Sequence, residues 1–125
     1  MILDTNALSA IADGEAGAAR EFTRARQIAI PVIVLGEYRF GIERSRHKRR
    51  YEAWLTEMVA ATQVLEVDSE TAICYAALRV QLKDAATPIP SNDAWIAALC
   101  RQHAFAILSR DRHFDAVKGL RRIGW

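Results

Sequence analysis

The chain has 125 residues, 17 Lys and Arg against 15 Asp and Glu, a formal charge of +2, and a hydrophobic share of 51%. That length suits one domain, residues 1–125, with its own core, and that composition excludes a disordered or tail-like protein. No apolar run approaches the roughly 18 residues of a membrane span, and Met1-Ile2-Leu3-Asp4 is no leader-like start, so a cytoplasmic protein without a membrane partner is expected.

Met1 to Leu3 is too short for a helix and reads as a strand running into Asp4-Thr5-Asn6, a trio able to end a strand and cap a helix. After Asp13-Gly14 a second helix should carry Ala18, Ala19, Phe22 and Ala25 on one face. Gln27 to Ile30 reads as a strand, and Pro31, ill-suited to a central strand, starts a helix along which Val34, Tyr38 and Ile42, and Glu37 and Gly41, recur by turns. Gly36 and Gly41 weaken that helix, and close backbone approach or simple tolerance are both open. Residues 44–50 form a basic connector, followed by a helix to about Ala61 with Tyr51, Trp54, Leu55, Met58 and Val59 on one face. A short strand over 62–67 precedes a helix capped by Asp68 or Ser69, with Ala72, Ile73, Ala76, Ala77 and Val80 as its expected buried side. Ala85 to Pro90 is a stiff loop, and Ser91-Asn92 should cap the helix bearing Asp93, Ile96, Ala97 and Cys100. Phe105 to Leu108 and Leu120 to Ile123 read as strands around a short helical piece with Phe114 and Val117. Alternating strands and helices imply an α/β fold with a mostly parallel sheet covered on both faces. Cys74 and Cys100 lack metal-ligand spacing and read as buried free thiols.

Ligands of open parallel sheets sit at the carboxyl ends of the strands. Asp4 and Asp111 each follow a strand there, Glu37 lies early in a helix after a strand, and Asp93 sits in the first turn of a helix, where the dipole favours negative charge. Taken singly, each is equally a cap or a solvated acid. Brought together, four carboxylates repel unless a cation neutralises them, and an all-oxygen set selects a hard ion, Mg²⁺ or Mn²⁺. Asp115, four residues beyond Asp111, is a possible fifth metal ligand. With these acids gathered in one pocket the remaining surface is strongly basic, which suits a polyanionic substrate. Such a site hydrolyses phosphodiesters without a side-chain nucleophile. Ser9, Ser91 and Ser109 lack a nucleophile-elbow context, and His47, His103 and His113 lack zinc-protease spacing; His103 reads as a helix-end residue and His113 as a surface or supporting group. Thr5, Asn6, Asn92 and Ser109 flank the acids and can hydrogen-bond carboxylates, ion-bound water or a phosphate, or merely cap. Arg110 and Arg112 are candidate substrate contacts, and Arg39, Arg44, Arg46, Lys48, Arg49 and Arg50 either grip phosphates or form a solvated face.

Four segments carry a resemblance: Leu3-Asp4-Thr5-Asn6; Ile30 to Glu37 with Gly41-Ile42; Pro88 to Ala98 around Asp93; and Leu108 to Asp115 around Asp111. In this order they resemble the PIN-domain ribonucleases, and within them the VapC-like toxins of type II toxin–antitoxin pairs. The resemblance implies a three-layer α/β/α sandwich, with Asp4, Glu37, Asp93 and Asp111 as catalytic metal-binding acids using Mg²⁺ or Mn²⁺. It implies cleavage of structured RNA such as tRNA or ribosomal RNA. It also implies a homodimer or hetero-oligomer with a cognate antitoxin that carries a DNA-binding domain and an arm for the toxin groove. The helical pair over about 31–61, with Tyr38, Phe40, Trp54, Leu55 and Met58, is an expected partner-facing surface unless those side chains enter the core. A PIN-fold DNA endonuclease and a noncatalytic nucleic-acid-binding protein are the competing readings. A phosphatase of the haloacid dehalogenase type is disfavoured because Asn6 stands where that chemistry needs a second acid.

Overall fold

The computed structural model describes all 125 residues. Five strands, β1 (Ile2–Leu3), β2 (Ala29–Pro31), β3 (Gln63–Leu65), β4 (Ile107–Leu108) and β5 (Arg122–Ile123), form one parallel sheet in the order β3-β2-β1-β4-β5. Six helices, α1 (Thr5–Ala12), α2 (Ala16–Arg24), α3 (Val32–Ile42), α4 (Lys48–Ala61), α5 (Ser69–Asp84) and α6 (Ser91–His103), flank it as the outer layers of an α/β/α sandwich. A 3-10 turn over Arg112–Ala116 joins β4 to β5. No helix is long and apolar enough to cross a membrane.

The central strand is β1, whose Ile2 and Leu3 are fully buried and pair in register with Ile107 and Leu108 of β4. A strand covered on both faces needs side chains that are apolar in both directions, which explains a two-residue strand without alternation. Topology places β2 on one side of β1 and β4 on the other. The chain therefore leaves the sheet in diverging directions after β1, and a crevice opens at the carboxyl ends there. Fully burying a Leu or Ile contributes about 1.5–3 kcal/mol; Ile2, Leu3, Leu8, Ile30, Leu78, Ile96, Leu99, Ile107 and Leu108 anchor the core that holds this crevice in shape.

Several boundaries differ from the sequence expectation. Pro31 is the buried last residue of the interior strand β2, paired with Leu65, and also the N-cap of α3. At the strand's end its missing N–H is not required, and its φ of −62° suits a helix start. Residues 48–50, expected in the connector, form the first turn of α4. Ser91 and Asn92 are the first helical residues of α6 rather than its caps; Pro90 is the N-cap and no side chain caps that end. The buried side of α5 is Thr71, Leu78 and Leu82, while Ile73 and Val80 are 63% and 60% exposed and Ala72, Ala76 and Ala77 are exposed too. A Cβ at Gly36 or Gly41 would meet nothing within 4 Å, so neither marks close backbone approach. Of the five side chains expected on the partner-facing surface, Tyr38, Leu55 and Met58 enter the core, Trp54 packs on Tyr38 with ring centroids 6.0 Å apart, and Phe40, 85% exposed, remains outside. Cys100 is buried, Cys74 is half-buried, and both are free thiols.

Candidate metal centre

Asp4 leaves β1 as the N-cap of α1, its backbone extended and its carboxylate turned back onto the Thr5 amide at 2.8 Å. It is 5% exposed, and every hydrogen bond to it comes from a neutral donor. Ser109 Oγ donates to its Oδ2 at 2.6 Å and Asn6 Nδ2 at 2.8 Å. Ser109 in turn accepts from the Asp111 amide at 2.9 Å, and Asn6 Oδ1 accepts from the Arg110 amide at 3.1 Å. The ends of β1 and β4 are thus stitched together by the small polar residues flanking the two acids. Burial pushes the Asp4 carboxyl up, its donors pull it down, and the charges of Asp93 and Asp111 push it further up.

Glu37 sits on the second turn of α3 and accepts the Thr5 hydroxyl at 3.2 Å. Its carboxyl is pushed up by partial burial and then by Asp4 and Asp93, while Thr5 and the Asn92 side chain favour the ionised form. Asp93, in the first turn of α6, is likewise pushed up by burial, and Asp111 adds to the shift. Asp111 caps the 3-10 turn, accepting from the His113 amide at 2.9 Å. That cap folds His113 back, so its Nδ1 lies 3.1 Å from Asp93 and 3.0 Å from Asp111. One ligand atom from each of Asp93, Asp111 and His113 lies within 4.8 Å of the others. The hydrogen bond to Asp93 and the two carboxylate charges hold the His113 imidazole above its ordinary pKa.

The structure brings Asp4, Asp93 and Asp111 into mutual electrostatic reach and Glu37 into reach of Asp4 and Asp93, with Thr5, Asn6, Asn92 and Ser109 against them. It does not bring Asp115 there: that carboxylate is held by Arg122 at 2.8 and 3.1 Å. Arg110 is paired with Glu15 and lies over the Trp125 ring at 4.5 Å, and is not free over the acids. Arg112 is exposed. His113 is the residue that sequence reasoning underrated. Its signal was the spacing Asp-x-His after a strand, since a side-chain cap onto the second following amide brings residues i and i+2 to one side.

A divalent cation fits this group. No Lys or Arg pairs with any of the four carboxylates, and three of them are pushed above their ordinary range, first by burial and then by one another's charge. His113 adds a nitrogen to the expected all-oxygen set, and imidazole is a better ligand for Mn²⁺ than for Mg²⁺.

Residues 1–120 match the PIN domain family. The chain is 30% identical over 95 residues to ribonuclease VapC5 of Mycobacterium tuberculosis, covering 74% of this chain and 70% of that one. It is 26% identical over 100 residues to the tRNA(fMet)-specific endonuclease VapC of Salmonella typhimurium, covering 79% and 76%. Among solved structures, VapBC of Salmonella typhimurium bound to DNA superposes with a TM-score of 0.86 at 25% identity, over 99% of this chain and 96% of that one. VapBC-5 of Mycobacterium tuberculosis, a member of the VapBC family of toxin–antitoxin systems, superposes with a TM-score of 0.75 at 28% identity, over 98% and 94%. With the fold, the clustered acids and these likenesses in agreement, the chain belongs to the PIN-domain family and matches its VapC toxins.

Proposed function

We propose that the chain is a metal-dependent endoribonuclease that acts on structured RNA as the toxin of a toxin–antitoxin pair. The observation that carries the reading is the gathering of Asp4, Glu37, Asp93 and Asp111 beyond the carboxyl ends of the strands, with no Lys or Arg paired to any of them. It lies in a domain whose curated relatives are ribonucleases. Asp4, Glu37, Asp93 and Asp111 would hold Mg²⁺ or Mn²⁺, which when bound supplies the charge that polarises a scissile phosphate and acidifies the attacking water.

The chain's own residues do the positioning. Ser109, Asn6 and the Thr5 amide fix both oxygens of Asp4, so one rotamer faces the cleft before any ligand arrives. Thr5 ties Glu37 to the same end of α1. Such supporting hydrogen bonds are worth roughly 10–100-fold in metal affinity or activity. The His113 ring lies against both Asp93 and Asp111, which hold its pKa above the ordinary value, and in its protonated form it would limit their repulsion. Arg39, Arg44, Arg46, Arg49 and Arg50 are exposed on α3, the connector and α4, and would draw in a polyanion, whereas Lys48 is engaged by Glu43 and Glu52. The likeness to VapBC toxin–antitoxin structures supports a protein antitoxin as a partner.

Incubating partner-free chain with total RNA and with single- and double-stranded DNA, in Mn²⁺ and then in EDTA, tests this. Discrete metal-dependent cuts in RNA that leave 5′-phosphates are expected. Cutting of DNA alone would replace the reading with a DNA endonuclease, and cutting of neither would leave a binding role.

A further inference from the structure

A cavity of about 250 Å³ opens between α1, α3 and the start of α4. Thr5 and Glu37 wall one end, so it is continuous with the acid group, while Asp13 and Tyr51 wall the other. Its volume falls below the roughly 300–1,000 Å³ of pockets for drug-sized ligands, which suits a single planar base. Tyr38 lines it, is 3% exposed, and carries the one buried side-chain polar atom of the chain without a hydrogen-bond partner, its hydroxyl. Buried hydroxyls left unpaired are costly and rare, so this one calls for a partner. Gly41 gives up helix propensity in the same wall, where a side chain would meet only open space.

The lining selects the occupant. It contains no Lys or Arg, which argues against a phosphate seated within it, and it offers acceptors. Asp13 accepts the Tyr51 hydroxyl at 2.7 Å on one oxygen and leaves the other for a ligand, and the Ser9 and Ser45 hydroxyls stand alongside. Among RNA bases guanine presents two adjacent N–H donors on its pairing edge, matched to a carboxylate. We propose that this cavity is a base subsite taking one unstacked guanine, whose N1–H and 2-amino group donate to Asp13 while the base lies against the Tyr38 wall. The attached backbone then runs along α1, about 12 Å at 1.5 Å per residue, toward Thr5 and Glu37. Assigning the guanine to RNA rests on the nuclease reading; the pocket chemistry does not.

Binding of guanosine, inosine and adenosine to the full, partner-free, metal-free chain, followed by calorimetry or ligand-observed NMR, tests the subsite. Guanosine should bind at least about tenfold tighter than inosine, which lacks the 2-amino donor, and adenosine should not bind. Asp13→Asn should erase the preference. Gly41→Leu, which places a better helix former where a Cβ meets nothing, should stay folded and lose guanosine. Equal binding of the three nucleosides, no binding, or undiminished binding by Gly41→Leu overturns the proposal. RNA cutting with sites unchanged in Gly41→Leu and no guanosine bound would remove the subsite and leave the nuclease. Guanosine binding without any RNA cutting would do the reverse.

Discussion

Asp4 is nearly buried, ionisable and served only by neutral donors, so its charge destabilises the ion-free fold. Asparagine caps helices as well as aspartate does. Asp4→Asn should therefore melt no lower than the native chain without metal, yet lose the rise in melting temperature that Mn²⁺ gives the native chain; differential scanning fluorimetry reads both. The sign of the pH effect follows. Asp4, Glu37 and Asp93 are all raised, so the folded state holds protons that the unfolded state has released. Ion-free stability then falls as pH climbs from the ordinary carboxylate range through the raised values. The stabilisation by Mn²⁺ should accordingly be larger at pH 7.5 than at pH 5, and an equal rise at both would contradict the raised values. Cys100 offers a separate check, because burial pushes its thiol well above the usual range, while Cys74 is half-buried. A thiol reagent should modify Cys74 first and reach Cys100 only on unfolding. Which acids gather at this end of the sheet was legible in the sequence, because Asp4 and Asp111 follow strands, Asp93 opens a helix and Glu37 lies early in one. The Ser109–Asp4 bond, spanning 105 positions, was not, because a serine after a strand looks the same whether or not a carboxylate waits opposite.

At the scale of elements, α5 shows where periodicity misleads. Ile73, Ala76, Ala77 and Val80 recur at helical spacing, but the buried face is Thr71, Leu78 and Leu82. The polar Thr71 is admitted because its hydroxyl and amide are satisfied by Asp68 and its side chain meets Gln102, partners that a hydropathy count cannot supply. Leu78→Ala should cost about 2–5 kcal/mol in chemical denaturation, whereas Ile73→Ala should stay within about 0.5 kcal/mol. The reverse result would restore the face that the pattern suggested. On α3, Gly36→Ala should stabilise by up to about 1 kcal/mol, since the site is exposed and an added Cβ meets nothing. Strand and helix positions were readable because Asp4, Pro31, Asp68 and Gly119 punctuate the chain with strong local chemistry, whereas the order of strands in the sheet was not. The ends of β2 and α6 were not, because proline served as strand end and helix cap at once at Pro31 and as cap at Pro90.

At the scale of the whole molecule, the parallel sheet gathers four acids beyond the carboxyl ends of its strands, with no Lys or Arg paired to any of them. The core fixes where they point, and the hydrogen bonds among Thr5, Asn6 and Ser109 fix how. Asp115 shows the limit of reading such a site from spacing, since its sequence position suits the group and its partner Arg122 takes it elsewhere. The most direct test is the rate of RNA cleavage as Mn²⁺ is titrated, native chain against Asp4→Asn, both partner-free and both shown to be folded. Saturable, EDTA-reversible cleavage by the native chain is expected, with a loss of at least about a hundredfold in Asp4→Asn, the upper figure for merely supporting residues. Cleavage by Asp4→Asn within a fewfold of native, or cleavage by the native chain that persists in EDTA, would contradict the metal-centre reading.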